Sequence, residues 1–240
     1  DTELGRKSDP NIKLPKNRFQ HPKDVEYHIR EAVEFYRERF GKNPAGMWPS
    51  EGSVATEILP IIAKYGIKWI ATDEEILARS IGRSPDRNDS DNVSATGELY
   101  RAYKLDNQGK ELSIIFRDHT LSDRLGFVYA NWNPEDAAKD FVDKLLGLKK
   151  HLNNINAPAR LIPVILDGEN AWEYYINDGH DFFKALYTKI SEHPDLETVT
   201  ISQYLQNNQE RGEIHSLHPG SWINHNYNIW IGHDEDNLAW

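Results

Sequence analysis

Two acidic residues stand where chemistry is easiest to place. Glu51 closes the stretch "GMWPSE" and Asp167 closes the aliphatic run "LIPVILD", each just past a short apolar segment and beside tryptophan. They are 116 positions apart (167 minus 51), so only a fold can pair them. Paired carboxylates flanked by aromatic rings suit hydrolysis of a glycosidic bond. One donates a proton to the leaving oxygen, and the other stabilises or traps the oxocarbenium-like sugar. The aromatic rings have a matching use, because the C–H faces of sugars stack on indole and phenol rings. The chain holds 7 Trp and 11 Tyr, and Trp48, Trp172, Trp222 and Trp230 all sit in or beside polar clusters. Each feature also has a plainer explanation. A carboxylate after a strand can cap a helix, Asp167 and Gly168 can form a turn with Glu169 facing water, and Trp172 divides between sugar platform and packing. Trp69 is read as core.

A second polar group, Arg117, Asp118 and His119 in "FRDH" with Asp123 in the following "LSD", is placed to orient a carboxylate or bind sugar hydroxyls. His119 reads equally well as a structural histidine. A metal enzyme is a rival, since His215, His218, His225 and His233 crowd the C-terminal stretch. No HExxH or other compact ligand motif occurs, and Pro219 breaks the helix that a His215/His218 pair needs. Neither metal nor cofactor is expected.

Composition narrows the partners. With 38 acidic against 28 basic residues the formal net charge is −10, which disfavours nucleic acid and anionic membrane surfaces. No apolar run approaches the length of a membrane span. The absence of cysteine fits a reducing cytoplasm, with secretion left open if the natural N-terminus lies upstream. The sequence leaves the oligomeric state undetermined.

The elements that must position these residues follow from periodicity and punctuation. A lead-in of about 20 residues precedes "HPKDVEYHIREAVEFYRERFG", where Val25, Ile29, Val33, Tyr36 and Phe40 recur at helical spacing between Pro22 and Gly41. "VATEILPIIAKYG" predicts a second helix ended by Gly66, and Ile67 to Ala71 a short strand. The Gly/Ser/Asp/Asn-rich segment 82–98 reads as a mobile surface loop. "LYRAYKL" and "LSIIFRDH" flank the turn signal "DNQGKE" and suit a hairpin. Asn133 and Pro134 open a helix with the apolar stripe Phe141, Leu145, Leu148 and Leu152. "LIPVIL" predicts a strand, Gly179 to Glu192 a helix, and "ETVTISQYL" a strand running into a helical turn. Strands alternating with helices, and apolar on both faces, predict an α/β fold with a parallel sheet. Residues 1–240 are expected to form one domain. Ligands of such folds bind at the carboxyl ends of strands, where "MWPSE", "WIATDEE" and "VILDGEN" collect.

In this order, "GMWPSEGSV", "ATDEE", "FRDHTLSDRLGFVY", "VILDGENAWEYY" and "LHPGSWINHNYNIWIGHDEDNLAW" resemble the motifs of glycoside hydrolase family 57, most closely its amylopullulanase-like and α-amylase-like members. The resemblance runs from about His21 to Trp240. It implies an incomplete (β/α)7 barrel and a retaining mechanism on α-glucans, with Glu51 as nucleophile and Asp167 as general acid/base. Glu51 must then be ionised while Asp167 holds a proton, with the two carboxyl groups about 5 to 5.5 Å apart. Trp222, His225, Trp230 and Glu235 fall where subsites are expected. The family's first motif, with an "HQP"-type histidine, and the region after it have no counterpart here, nor has the helical domain after the barrel. The chain is therefore expected to be a catalytic-domain fragment and a partial barrel. A transferase or branching activity at the same carboxylates, and a binding protein without turnover, remain alternatives. Hydrolysis and transfer differ only in whether water or a sugar hydroxyl takes the glycosyl group.

Overall fold

Pro22 fixes the first turn of one long helix, and Gly41 ends it in a left-handed conformation (φ 69°) whose N–H returns to the carbonyl of Arg37. Asn133 starts the other. Its side chain accepts from the N–H groups of Glu135 and Asp136, Pro134 takes the first helical position, and Phe141, Leu145, Leu148 and Leu152 are all buried. Burying each leucine of that stripe stabilises by about 1.5–3 kcal/mol relative to exposure. Both helices match the sequence expectation, although Phe40 at the end of the first stripe stays 64% exposed.

The computed structural model describes residues 1–83, 97–105, 111–157, 160–168 and 172–239. Most of the expected mobile loop 82–98, the turn at 106–110, and Glu169 and Asn170 lie outside the described residues. In chain order the elements are α1 Thr2–Ser8, α2 Pro22–Phe40, β1 Gly46–Met47, α3 Leu59–Lys64, β2 Trp69–Asp73, α4 Glu74–Ser80, β3 Tyr103–Leu105, β4 Leu112–Arg117, α5 His119–Asp123, α6 Pro134–Asn154, α7 His180–Glu192, α8 Ile201–Asn207, β5 Gly212–Ile214 and α9 Asp234–Ala239.

These elements divide into two compact units. The first comprises Asp1–Pro85, Ala102–Phe116 and Arg211–Trp240. Among its described residues runs a five-stranded sheet in the order β1-β2-β4-β3-β5. β1 pairs parallel with β2 and β3 parallel with β5, whereas β3 and β4 are antiparallel with Tyr103 opposite Ile114. The expected hairpin is therefore present, and it makes the sheet mixed rather than all parallel. β4 is buried at every position, as suits a central strand covered on both faces. Gly46 in β1 is required by a close approach: a Cβ there would stand 1.9 Å from the Trp69 ring, so Trp69 packs on the sheet.

The second unit comprises Asp86–Arg101 and Arg117–Glu210. Its core joins Phe141 and Leu145 of α6 to Phe182 and Leu186 of α7, with Leu121, Leu125, Tyr129 and Tyr175 packed among them.

Two expected strands take other forms. Residues 161–166 join no ladder. Leu161 N–H donates to Tyr100 O, Pro163 O accepts from Asp118 N–H, and Ile165 uses its N–H and carbonyl on the Ser122 hydroxyl and the Arg117 guanidinium. The period of two is kept, but side chains supply half of the partners and Pro163 has no N–H to give. Residues 197–200 are exposed and non-strand, because Thr200 is committed to a capping box with Gln203 at the start of α8.

Candidate active site

In the first unit, β1 delivers the chain to Trp48, Pro49 and a 3-10 turn, Ser50–Gly52, that carries Glu51. Glu51 adopts φ 53° and ψ 30°, the left-handed region that a branched or long side chain seldom occupies, and Gly52 follows at φ 59°. Gly52 is obligatory, since a Cβ there would stand 2.9 Å from the Trp48 ring. Strain of this kind persists only where neighbours over-determine it. Here they do. The Thr72 hydroxyl at the end of β2 donates to Gly52 O, Val54 and Gly220 exchange backbone hydrogen bonds of 2.8 and 3.1 Å, and the Tyr227 hydroxyl donates to Val54 O.

Trp222 completes the turn. Its backbone N–H donates to Glu51 O at 3.0 Å, and its indole Nε1 donates to Glu51 Oε2 at 2.6 Å. The Trp48 and Trp222 rings meet edge to face, with centroids 5.4 Å apart. Glu51 itself is exposed. An exposed carboxylate on a strained, many-times-tied turn between two indoles is thus what this unit builds from "GMWPSEG" and "PGSW". Trp230 stands apart from that pair, half exposed in the turn Asn228–Trp230 against Tyr227.

In the second unit, Asp167 is half-buried at the end of the segment 161–166 described above. The corner between β4 and α5 holds that segment. Asp118 is fully buried, and its carboxylate accepts from Leu121 N–H as the cap of α5 and from the Tyr100 hydroxyl, both at 2.9 Å. Its backbone N–H donates to Pro163 O at 2.9 Å. Buried Arg117 donates from Nε to Ile165 O at 2.9 Å and pairs through its other arm with Asp123. His119 Nε2 lies 2.8 Å from the second oxygen of Asp123. Burial pushes the Asp123 carboxyl up, but hydrogen bonds from His119 and Arg117, with their charges, outweigh it and hold the group below its ordinary value. Trp172 packs on α7, 4.0 Å from the Phe183 ring centroid and 5.4 Å from that of Tyr175.

The first unit therefore brings together Glu51, Trp48 and Trp222, and the second gathers Arg117, Asp118, His119 and Asp123 behind the segment leading to Asp167. Thr72 and Ser122, which hold these two arrangements, were not singled out from sequence. Their only signal is a small hydroxyl residue amid apolar neighbours at a strand end or in a first helical turn.

The four C-terminal histidines have other engagements or stand apart. The ring of His218 donates from Nε2 to His225 O, since a carbonyl can only accept, and burial lowers its basicity. His225 faces Glu75 at 3.3 Å, His233 faces Asp236 at 3.3 Å, and His215 is exposed. Among the described residues no group of three or more His, Asp or Glu side chains could hold a metal ion, and no helix is long and apolar enough to cross a membrane.

Residues 14–216 match the sequence profile of Glycosyl hydrolase family 57, and the chain belongs to that family. A protein of Methanocaldococcus jannaschii named "Putative alpha-amylase" is 24% identical over 225 residues, covering 90% of this chain and 42% of its own. Among solved structures, a branching enzyme of this family from Pyrococcus horikoshii superposes with a TM-score of 0.71 at 14% identity, over 92% of this chain and 48% of that one. The 4-alpha-glucanotransferase of Thermococcus litoralis superposes with a TM-score of 0.64 at 19% identity, over 88% and 29%. An alpha-amylase from Thermotoga maritima gives 0.67 at 16% identity, over 84% and 48%. At these identities the likeness shows the fold, the family's α/β barrel, of which this chain carries a part. The chain spans less than half the length of each of these relatives.

Proposed function

We propose that this chain is the catalytic part of a retaining glycoside hydrolase acting on α-glucans at α-1,4 linkages, with cleavage of α-1,6 linkages left to the pullulan test below, and with Glu51 as nucleophile and Asp167 as general acid/base. The observation that carries the reading is the turn at Glu51, an exposed carboxylate held in a left-handed conformation by partners on β2 and on the 220–227 segment. Exposed Asp178 has nearly the same backbone conformation (φ 51°), so what marks Glu51 is the set of ties around that turn, above all the indole bond to its carboxylate.

In the first half-reaction a Glu51 oxygen attacks the anomeric carbon. The bond to the leaving glucosyl oxygen breaks, its electron pair stays on that oxygen, and Asp167 supplies the proton. In the second half-reaction Asp167 takes a proton from an incoming water, whose oxygen attacks the same carbon and releases the Glu51 carboxylate. Two inversions give net retention. Asp118 and Arg117 support the segment that carries Asp167, and His119 stands nearby for sugar hydroxyls. Trp48, Trp222 and Trp230 offer ring surface to glucosyl units in this reading, whereas Trp172 serves the packing of α7.

A second reading, transfer to a sugar hydroxyl in place of water, uses the same two residues. It is favoured by the likeness to a 4-alpha-glucanotransferase and to branching enzymes. The intact protein is to be incubated with maltooligosaccharides, amylose and pullulan, and the products and their anomeric form identified. Retained α-anomers and shortened chains are expected for hydrolysis; lengthened or branched chains indicate transfer. Glu51→Gln and Asp167→Asn should each lower turnover by about a thousandfold or more. Normal rates in either variant would end this assignment, and sugar binding without turnover in the unaltered protein would favour a binding role.

A further inference from the structure

Trp222 was singled out as a possible sugar-stacking residue, yet its indole does something more specific. The ring N–H is a donor only, and it is aimed at one carboxylate oxygen, Oε2 of Glu51, at 2.6 Å. Among the described residues no other group bonds to that carboxylate. The donor is itself fixed in three ways. Its backbone N–H is tied to Glu51 O, its ring meets Trp48 edge to face, and its neighbour Gly220 is bridged to Val54. Ser221, between them, is fully buried, with its hydroxyl donating to Asn226 O at 2.9 Å. A donor this well fixed sets the rotation of the carboxylate about its terminal bond, a torsion that is otherwise broad.

We propose that Trp222 is a positioning residue of the reaction: its indole N–H holds Oε2 of Glu51 as the non-reacting oxygen and presents Oε1 to the anomeric carbon of the glucan. The inference rests on the reading of Glu51 as nucleophile. It assigns the two oxygens different roles. Oε1 forms the bond to carbon, and Oε2 keeps its hydrogen bond through both half-reactions, so the carboxylate need not reorient between attack and release. Nucleophile placement of this kind acts on the rate of the chemical step more than on substrate binding.

The test replaces Trp222 in the intact protein by benzothienylalanine, which keeps the ring shape and substitutes sulfur for the N–H, and separately by Phe. The substrate is an aryl α-maltoside whose phenol leaves without protonation, so defects in Asp167 do not mask the result. The expected result in both variants is a kcat lower by about tenfold to a hundredfold. KM of the sulfur isostere should stay within twofold, with its far-ultraviolet circular dichroism unchanged. A purely stacking Trp222 predicts the opposite: the isostere retains both constants and Trp222→Phe raises KM alone, which overturns the proposal. Glu51→Gln separates the two levels. If that variant turns over normally, the nucleophile reading falls and this one with it. If it is inactive while the isostere keeps full kcat, only the role of Trp222 falls.

Discussion

Arg117 Nε donates to the carbonyl of Ile165 at 2.9 Å, and Ile165 stands two residues before Asp167. The guanidinium is 3% exposed and divides its fork between that carbonyl and the Asp123 carboxylate. A chain segment without a β-ladder is thereby fixed by a charged side chain, a stiffer clamp than one backbone bond because the donor is ionised and planar.

Arg117→Lys keeps the charge and loses the fork. One ammonium cannot reach Ile165 O and Asp123 together in the geometry of the guanidinium, so one half-buried partner is left unmet. The expected result is a loss of about 2 kcal/mol in chemical denaturation, with kcat lowered by about tenfold as Asp167 loses its registration. Unchanged stability would show that the clamp carries no weight.

The fold was legible where local chemistry decides it. The helices Pro22–Phe40 and Pro134–Asn154 announce themselves by proline at the start, a cap and a stripe, and the β3/β4 hairpin by alternation around a turn signal. Where partners come from afar, the sequence misleads. "LIPVIL" has the composition of a strand, yet its bonds go to Arg117 and Ser122, which no local pattern reveals. "ETVT" has β-branched residues but nothing to pair with, so the cap at Thr200 prevails. The candidate carboxylates were legible as residues at the ends of apolar runs. The left-handed turn at Glu51 and its bond to Trp222, 171 positions later, were not.

Asp123 makes a prediction about acid. Its carboxyl is held below the unfolded value of 3.8, so its stabilising contribution is fully present above that value and is lost as pH falls through the lowered one. Asp123→Asn should cost about 1 kcal/mol at neutral pH, since a third of the side chain meets water. The gap between the two proteins should close only below pH 3.8, as read from denaturation midpoints across an acid series. A gap that closes near neutrality would contradict the assigned sign.

Glu51 makes a prediction about strain. Glu51→Gly places at φ 53° the residue that occupies this region most freely. Stability should rise by about 0.5–1 kcal/mol in thermal denaturation while turnover disappears. A variant less stable than the parent would mean that the side chain's bond to Trp222 outweighs the backbone strain.

The first unit is discontinuous, and its strand β5 and the whole 220–227 segment follow the second unit in the chain. On a ribosome adding about 5 to 20 residues per second, Trp222 emerges roughly 10 to 30 s after Glu51. Only late in that interval, once α7 has emerged, can the second unit pack its helices, and throughout it the turn at Glu51 has neither its indole partner nor the bridge from Gly220. The nascent protein therefore acquires the geometry of its candidate nucleophile only after the second unit has been made, and a chain released before Trp222 carries Glu51 without that geometry.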